Sequence, residues 1–391
     1  MNKKITAIMT SVILAGTILA GCTPAETTTT TAGGTTTAGT TTAGDTTPGT
    51  TTAGDTTPGT TTAGETPDIS DKSVGMTTDE GGKGDKSFND AGIAGLDRIN
   101  DEFGLDYDLI ETTDASLIQQ NLETIVSQND FAVTVGFKMM DAVAAVAEMS
   151  PEKSFILVDA VVDQPNVKNV LFKEHEGSFL LGVIAGLMTE TNKVGFIGGV
   201  EGDVIGRFES GFAAGVASVN PEAGALLIPQ GNATHGEFVS YAGNFSDTGM
   251  GKELALDMYG RGADIVYHAA GGVGLGLFDA AQETGNYAMG VDSDQALIVP
   301  DKADVILVSM MKRVDVAVYD AVKAYIEGTF EGGMENLGLA EEAVGISETI
   351  HPDLQAKPEI LEEVEAYTQK IVDGELVVPG TLEELKGFEY E

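Results

Sequence analysis

A run of glycines stands between two short apolar stretches, and an acid closes the second of them. Gly271, Gly272, Gly274 and Gly276 follow Ile265–His268, and Asp292 ends the stretch that begins at Tyr287. Glycine lets backbone N–H groups approach a bound molecule closely, and a carboxylate accepts hydrogen bonds from hydroxyls and amines. The loop from Thr78 to Asn89, TDEGGKGDKSFN, has the same means and carries Asp79, Glu80, Phe88 and Asn89. A third stretch, YAGNFSD at 241–247, places Phe245 in a polar loop where core packing explains it poorly. Phe88, at a helix start, suits a hydrophobic staple as well as a ligand contact. Two aromatic rings from opposite sides of a site can hold a flat base between them.

Enzyme chemistries built on such residues can be tested against spacing. Gly272-Val273-Gly274 supplies the first two glycines of a dinucleotide fingerprint, and Asp292 lies 20 residues beyond Gly272, where a ribose-binding acid belongs. The third glycine of that pattern falls at 277, where Leu277 stands. No phosphate-binding GxxxxGK[ST] loop and no GxSxG nucleophile elbow occurs. His175-Glu176 begins like a zinc-protease helix motif, but Phe179 takes the place of the second histidine. The other histidines, His235, His268 and His351, are scattered, and the acids around Asp292–Asp294 form no twelve-residue calcium loop. No metal, cofactor or catalytic set is expected, and binding is favoured over catalysis.

Positioning these loops calls for a parallel α/β framework. Strands expected at Ser73–Thr77, Asp106–Thr112, Phe131–Val135, Ser154–Asp159 and Val170–Phe172 alternate with helices at Phe88–Phe103, Ser116–Gln128, Met139–Met149 and Gly177–Met188. The rhythm then restarts with strand Lys193–Ile197, helix Gly206–Val219, strand Ala225–Ile228, helix Thr248–Tyr259 and the glycine-rich unit Gly262–Asp294. Strand Val305–Met310, helix Val314–Glu327, strand Val344–Ser347 and helix Pro358–Val372 are too short for a third domain and return to complete the first two. Two lobes result, 73–173 plus 306–335 and 174–305 plus 336–391, with a ligand cleft between them. Parallel sheets bind ligands at the carboxyl ends of their strands, where Asp159 and Asp292 fall.

The 391 residues carry 61 acids against 21 lysines and arginines, a formal charge of −40. Such a surface repels nucleic acid and anionic lipid headgroups, so neither is an expected partner. The sole cysteine, Cys22, rules out an internal disulfide. Met1–Lys4 is basic, Ile5–Leu19 mostly apolar, and Leu19-Ala20-Gly21-Cys22 comes next, so residues 1–21 read as a secretory signal peptide. No other apolar run approaches the roughly 20 residues of a membrane span. Residues 22–72 are mostly Thr, Ala, Gly and Pro, with TTAGDTTPGT at 41–50 and again at 51–60. That composition cannot offset chain entropy and reads as a disordered tether.

DKSFND (85–90), VGFIGG (194–199), GADIVYHAAGGVGLGLFDAA (262–281), GVDSDQ (290–295) and SMMKRVDVAV (309–318) resemble, in order, motifs of the basic membrane protein family. These are lipoprotein substrate-binding components of ABC importers, typified by the purine nucleoside receptor. LAGC at 19–22 resembles the bacterial lipobox, which implies acylation of Cys22 and a lipid anchor on the extracytoplasmic face as the only link to the membrane. The resemblance runs from Ser73 to VVPG at 377–380. It implies an α/β, type I periplasmic-binding-protein fold of two Rossmann-like lobes and a hinge, and a monomer. It further implies a purine nucleoside in the cleft (inosine, guanosine or adenosine) and a membrane ABC permease as partner. Phe88 and Phe245 would then stack on the base, with Asn89 beside Phe88, and Asp159 would accept from base nitrogens. Asp292 and Lys312 would hold ribose hydroxyls near a Gly271 or Gly272 backbone group. Asp79 would line the same rim, and Glu80 stands where many relatives carry another polar residue. Read from the residues alone, Asp159 equally suits a helix cap, and Lys312 a surface position beside Arg313. A sensor lipoprotein not coupled to transport, or a sugar or autoinducer receptor, shares this fold and cleft.

Overall fold

The computed structural model describes residues 67–389; the leader, Cys22 and the threonine-rich stretch up to 66 lie outside the described residues. Two six-stranded sheets carry the fold. The first contains β1 (Val74–Thr77), β2 (Tyr107–Ile110), β3 (Phe131–Val135), β4 (Ser154–Val158) and β5 (Val167–Phe172), in the order β2-β1-β3-β4-β5 and all parallel. The second repeats that order with β6 (Val194–Gly198), β7 (Val239–Tyr241), β8 (Ile265–Ala269), β9 (Tyr287–Asp292) and β10 (Ile306–Lys312), as β7-β6-β8-β9-β10. β11 (Gly333–Leu337) joins β5 in parallel, and β12 (Val344–Ile346) joins β10 antiparallel. The inner strands β1, β3, β6 and β8 are buried at every residue, because helices cover both faces.

In each sheet the strand order reverses once, beside β1 and beside β6. A crevice therefore opens at the carboxyl ends of β1 and β3, and another at those of β6 and β8. The helices set the spacing around these crevices. Helix Glu174–Met188 packs on helix Asp203–Val219, and helix Thr248–Gly260 on helix Val273–Thr284. The first pair crosses at backbone contact, since a Cβ at Gly182 or Gly215 would overlap the backbone oxygen of Phe212 or Phe179.

Two expectations need correction. Strand Ile306–Lys312 pairs with β9, Met310 opposite Val291, so it belongs to the second sheet rather than the first. Only the elements beyond it, helix Val314–Ile326 against helix Phe88–Phe103 and then β11, return to the first sheet, and the chain crosses after Lys312 instead of before Ile306. The apolar run ILVSMM fits the interior of either sheet, which is why spacing could not assign it. Residues 225–228 form turns, with Leu227 N–H on Gly224 O at 3.0 Å, and the edge strand is Val239–Tyr241 instead. A short helix, Pro221–Gly224, capped by Asn220, runs directly into that segment and leaves it no extended backbone.

Candidate functional site

The carboxyl edges of the two sheets enclose a small cavity of about 50 Å³. From the first sheet it is lined by Asp79 beyond β1, Gly136 and Phe137 beyond β3, and Asp159 beyond β4. From the second come Ala269, Ala270 and Gly271 at and beyond β8, Asp292 of β9 and Lys312 of β10. Phe88 and Asn89 of helix Phe88–Phe103, Phe208 of helix Asp203–Val219, and Phe245 also line it, with Asp85, Val204, Ile205 and Val291. Both crevices thus open into one space, lined from both sheets.

The acidic loop is fixed by helix-start chemistry. Asp85 accepts from the N–H groups of Ser87 at 3.0 Å, Asn89 at 2.8 Å and Asp90 at 3.1 Å, satisfying donors that the first helical turn leaves free. Asn89 Nδ2 then donates to Asp85 Oδ2 at 3.0 Å and to Asp79 Oδ1 at 2.8 Å, where Gly81 N–H also donates at 2.8 Å. Among the described residues Asp79 Oδ2 has no hydrogen-bond partner, so it remains an acceptor on the cavity wall. Burial pushes the Asp79 carboxyl up to about 6 and raises Asp85 as well.

The two strand-ending acids occupy equivalent places in the repeated sheets, and both take left-handed backbone, φ 69° at Asp159 and φ 64° at Asp292. Aspartate tolerates that conformation better than most residues, and such strain gathers at ligand sites. Asp292 is reached by the Ser87 hydroxyl from the opposite sheet, and Gln295 Nε2 donates to Lys86 O at 2.8 Å across the same gap. Buried His268, held neutral by burial at about 4, donates from Nε2 to Gln295 Oε1 at 3.0 Å and fixes that amide. Direct bonds therefore hold the two halves together here. Burial pushes Asp292 up to about 7 against the pull of Lys312. Its contribution to stability is complete below about 4 and is lost as pH rises through about 7.

Lys312 is 1% exposed, which removes the surface reading. Its Nζ donates to both oxygens of Asp159, at 2.8 and 2.6 Å, and to Glu174 Oε1 at 2.8 Å, so all three ammonium hydrogens are engaged. Phe88, Phe172 and Phe208 ring the ammonium at 5.0, 5.2 and 5.6 Å. Asp159 therefore holds the lysine of the other sheet and caps no helix. Phe245 meets Phe137 edge-on, centroids 6.4 Å apart, and covers Gly199, where a Cβ would strike its ring.

Of the residues singled out from sequence, Asp79, Phe88, Asn89, Asp159, Phe245, Gly271, Asp292 and Lys312 line one cavity. Glu80 does not; it is ion-paired with Lys138 outside the wall. Gly272 lies one residue beyond the lining, under the Phe245 carbonyl. Phe137 and Asp85 were missed, although Phe137 sits just past a strand end and Asp85 opens the DKSFND motif. Glu174 and Arg207 were missed too, and no local pattern marks them.

Residues 72–381 match the family model described as ABC transporter substrate-binding protein PnrA-like. The chain belongs to this family. PnrA-like proteins bind substrates for ABC transporters and are not an enzyme class. The chain is 41% identical to the CD4+ T-cell-stimulating antigen of Listeria monocytogenes over 330 residues, 79% of this chain and 88% of that one. It is 33% identical to the ABC transporter nucleoside-binding protein BmpA of Lactococcus lactis, over 79% of this chain and 90% of the relative. It is 32% identical to basic membrane protein A of Borreliella afzelii, over 78% and 90%. Among solved structures, an ABC transporter solute-binding protein of Aeropyrum pernix superposes with TM-score 0.70 at 30% identity, covering 81% of this chain and 98% of that one. Another from Conexibacter woesei, at 0.60 and 20% identity, covers 79% and 99% and shows the fold alone. The fold is the type I periplasmic-binding-protein fold. No helix among the described residues is long and apolar enough to cross a membrane.

Proposed function

We propose that this PnrA-like protein captures purine nucleosides outside the cell and delivers them to an ABC permease, tethered by a lipid on Cys22. The observation that carries the reading is the pairing of Phe88 and Phe245, contributed by different halves of the chain, with acceptor carboxylates in one cavity. Aromatic rings on two walls suit a flat base. Asp79 and Asp292 each keep an acceptor for ligand donors, and Asp159 with Lys312 forms the charged floor. The two halves act as lobes closing at the chain crossings, so the permease meets one closed shape. The nucleoside-binding name of the Lactococcus relative points the same way.

A nucleotide fits this chemistry badly. Its phosphate would face Asp79, Asp159 and Asp292, while Lys312 is already bonded to two carboxylates. Like charges brought together in a binding site cost several kcal/mol. Inosine monophosphate is therefore expected to bind at least roughly 100-fold more weakly than inosine in calorimetric titration. Equal affinity for the two would remove the nucleoside assignment.

A further inference from the structure

Glu174 and Arg207 do not line the cavity, yet they meet its floor. Glu174 is fully buried at the start of its helix and takes the third hydrogen of Lys312 Nζ at 2.8 Å. Arg207 Nε donates to the other Glu174 oxygen at 2.5 Å, and its guanidinium reaches the surface. The four groups come from four places: Asp159 beyond β4, Glu174 just past the first crossing, Lys312 just before the second, and Arg207 from helix Asp203–Val219. Two cationic and two anionic side chains interlock where the chain passes between the sheets, and Asp292 faces the same lysine.

We infer that Glu174 and Arg207 are positioning residues for the ligand site, holding the Lys312 ammonium on Asp159 from outside the cavity and so keeping its floor charge-balanced for an uncharged ligand. The inference rests on the nucleoside reading above. A buried lysine with one carboxylate partner is free to tilt toward ligand or lose its proton; a second partner, itself clamped by an arginine, prevents both. The charged groups facing Lys312 are Asp159, Glu174 and Asp292, with Arg207 behind Glu174. Burial opposes the lysine's charge, but the three carboxylates outweigh it and hold the ammonium above its ordinary range. Burial likewise opposes charge on Glu174, and Lys312 with Arg207 holds it below the ordinary range.

The test is the affinity for adenosine, which has no group of its own titrating between mildly acidic pH and about pH 10, as a function of pH for the wild-type protein, Glu174→Gln and Arg207→Met, with the thermal midpoint of each recorded. Once Asp79 and Asp292 have ionised, through about 6 and about 7, wild-type affinity is expected to stay flat from about pH 8 up to about pH 10. Glu174→Gln is expected to bind about tenfold more weakly at neutral pH. Its alkaline fall should begin about 1–3 pH units earlier, because a neighbouring opposite charge shifts a titration by that much. Arg207→Met, at a half-buried position, moves the other limb: Glu174 loses a cation, so affinity falls at higher pH on acidification. Variants whose affinity drops equally at every pH, or whose profiles superpose on the wild type, would overturn the inference while leaving the nucleoside reading intact. A wild-type protein that binds no nucleoside would remove that reading, and the inference with it.

Discussion

Alanine at Phe88 or at Phe245 is expected to weaken inosine binding by roughly 1–3 kcal/mol each, the range measured when a base loses an aromatic platform. That is about 5- to 150-fold in the dissociation constant. The two substitutions should not behave alike in the free protein. Phe88 caps the aromatic ring around Lys312, 5.0 Å from the ammonium, so Phe88→Ala also loosens the charged floor. Phe245 rests on Phe137 and Gly199 at the mouth, and its loss opens the wall with little effect on folding. Calorimetry of both variants, with thermal midpoints measured alongside, separates the two effects. A sugar or autoinducer site would leave both affinities nearly unchanged, and that outcome would end the stacked-base account.

Lys312→Met is expected to be the most destabilising single change in the cleft, by about 3–5 kcal/mol, the range for breaking a buried ion pair at one partner. Glu174 keeps Arg207, but Asp159 loses the donor to both of its oxygens. Burial already pulls the Asp159 carboxyl upward, and Lys312 is the chief opposing influence. Without the lysine its folded-state pKa rises further above the unfolded value. An acid shifted that way binds more protons when folded, so stability falls as pH rises. The deficit should therefore be largest near pH 8 and shrink toward pH 5, read as denaturant midpoints at both values. A Lys312→Met protein as stable as the wild type at pH 8 would show that the array contributes nothing to folding.

Most of the framework is legible in the sequence because parallel strands are short apolar runs ended by glycine or acid. Phe131–Val135 and the glycine-rich unit of β8 and β9 illustrate this. The same rule locates part of the site: Asp159, Gly271 and Asp292 fall at strand ends, where ligands of such sheets bind. Sheet membership is another matter. β10 reads as an interior strand of either sheet, and only its register against β9 assigns it. Edge strands are weaker still, since Val239–Tyr241 has three half-buried residues and β11 is a largely exposed segment. The Glu174–Lys312 contact joins residues 138 apart in sequence, and Phe137 meets Phe245 across the gap between sheets. Pairings at that range leave no trace in spacing. Lys312 beside Arg313 looks like a surface pair until the fold buries one of the two.

A neutral purine nucleoside is expected to occupy the cleft through its base. The most direct measurement is calorimetric titration of unfolded-and-refolded protein, freed of any carried ligand, with inosine, guanosine, adenosine, uridine, ribose and NAD. Purine nucleosides are expected to bind at sub-micromolar dissociation constants, about −8 kcal/mol or better, with ribose far weaker. Binding of ribose or NAD with no response to any nucleoside would overturn the nucleoside assignment while leaving the fold in place.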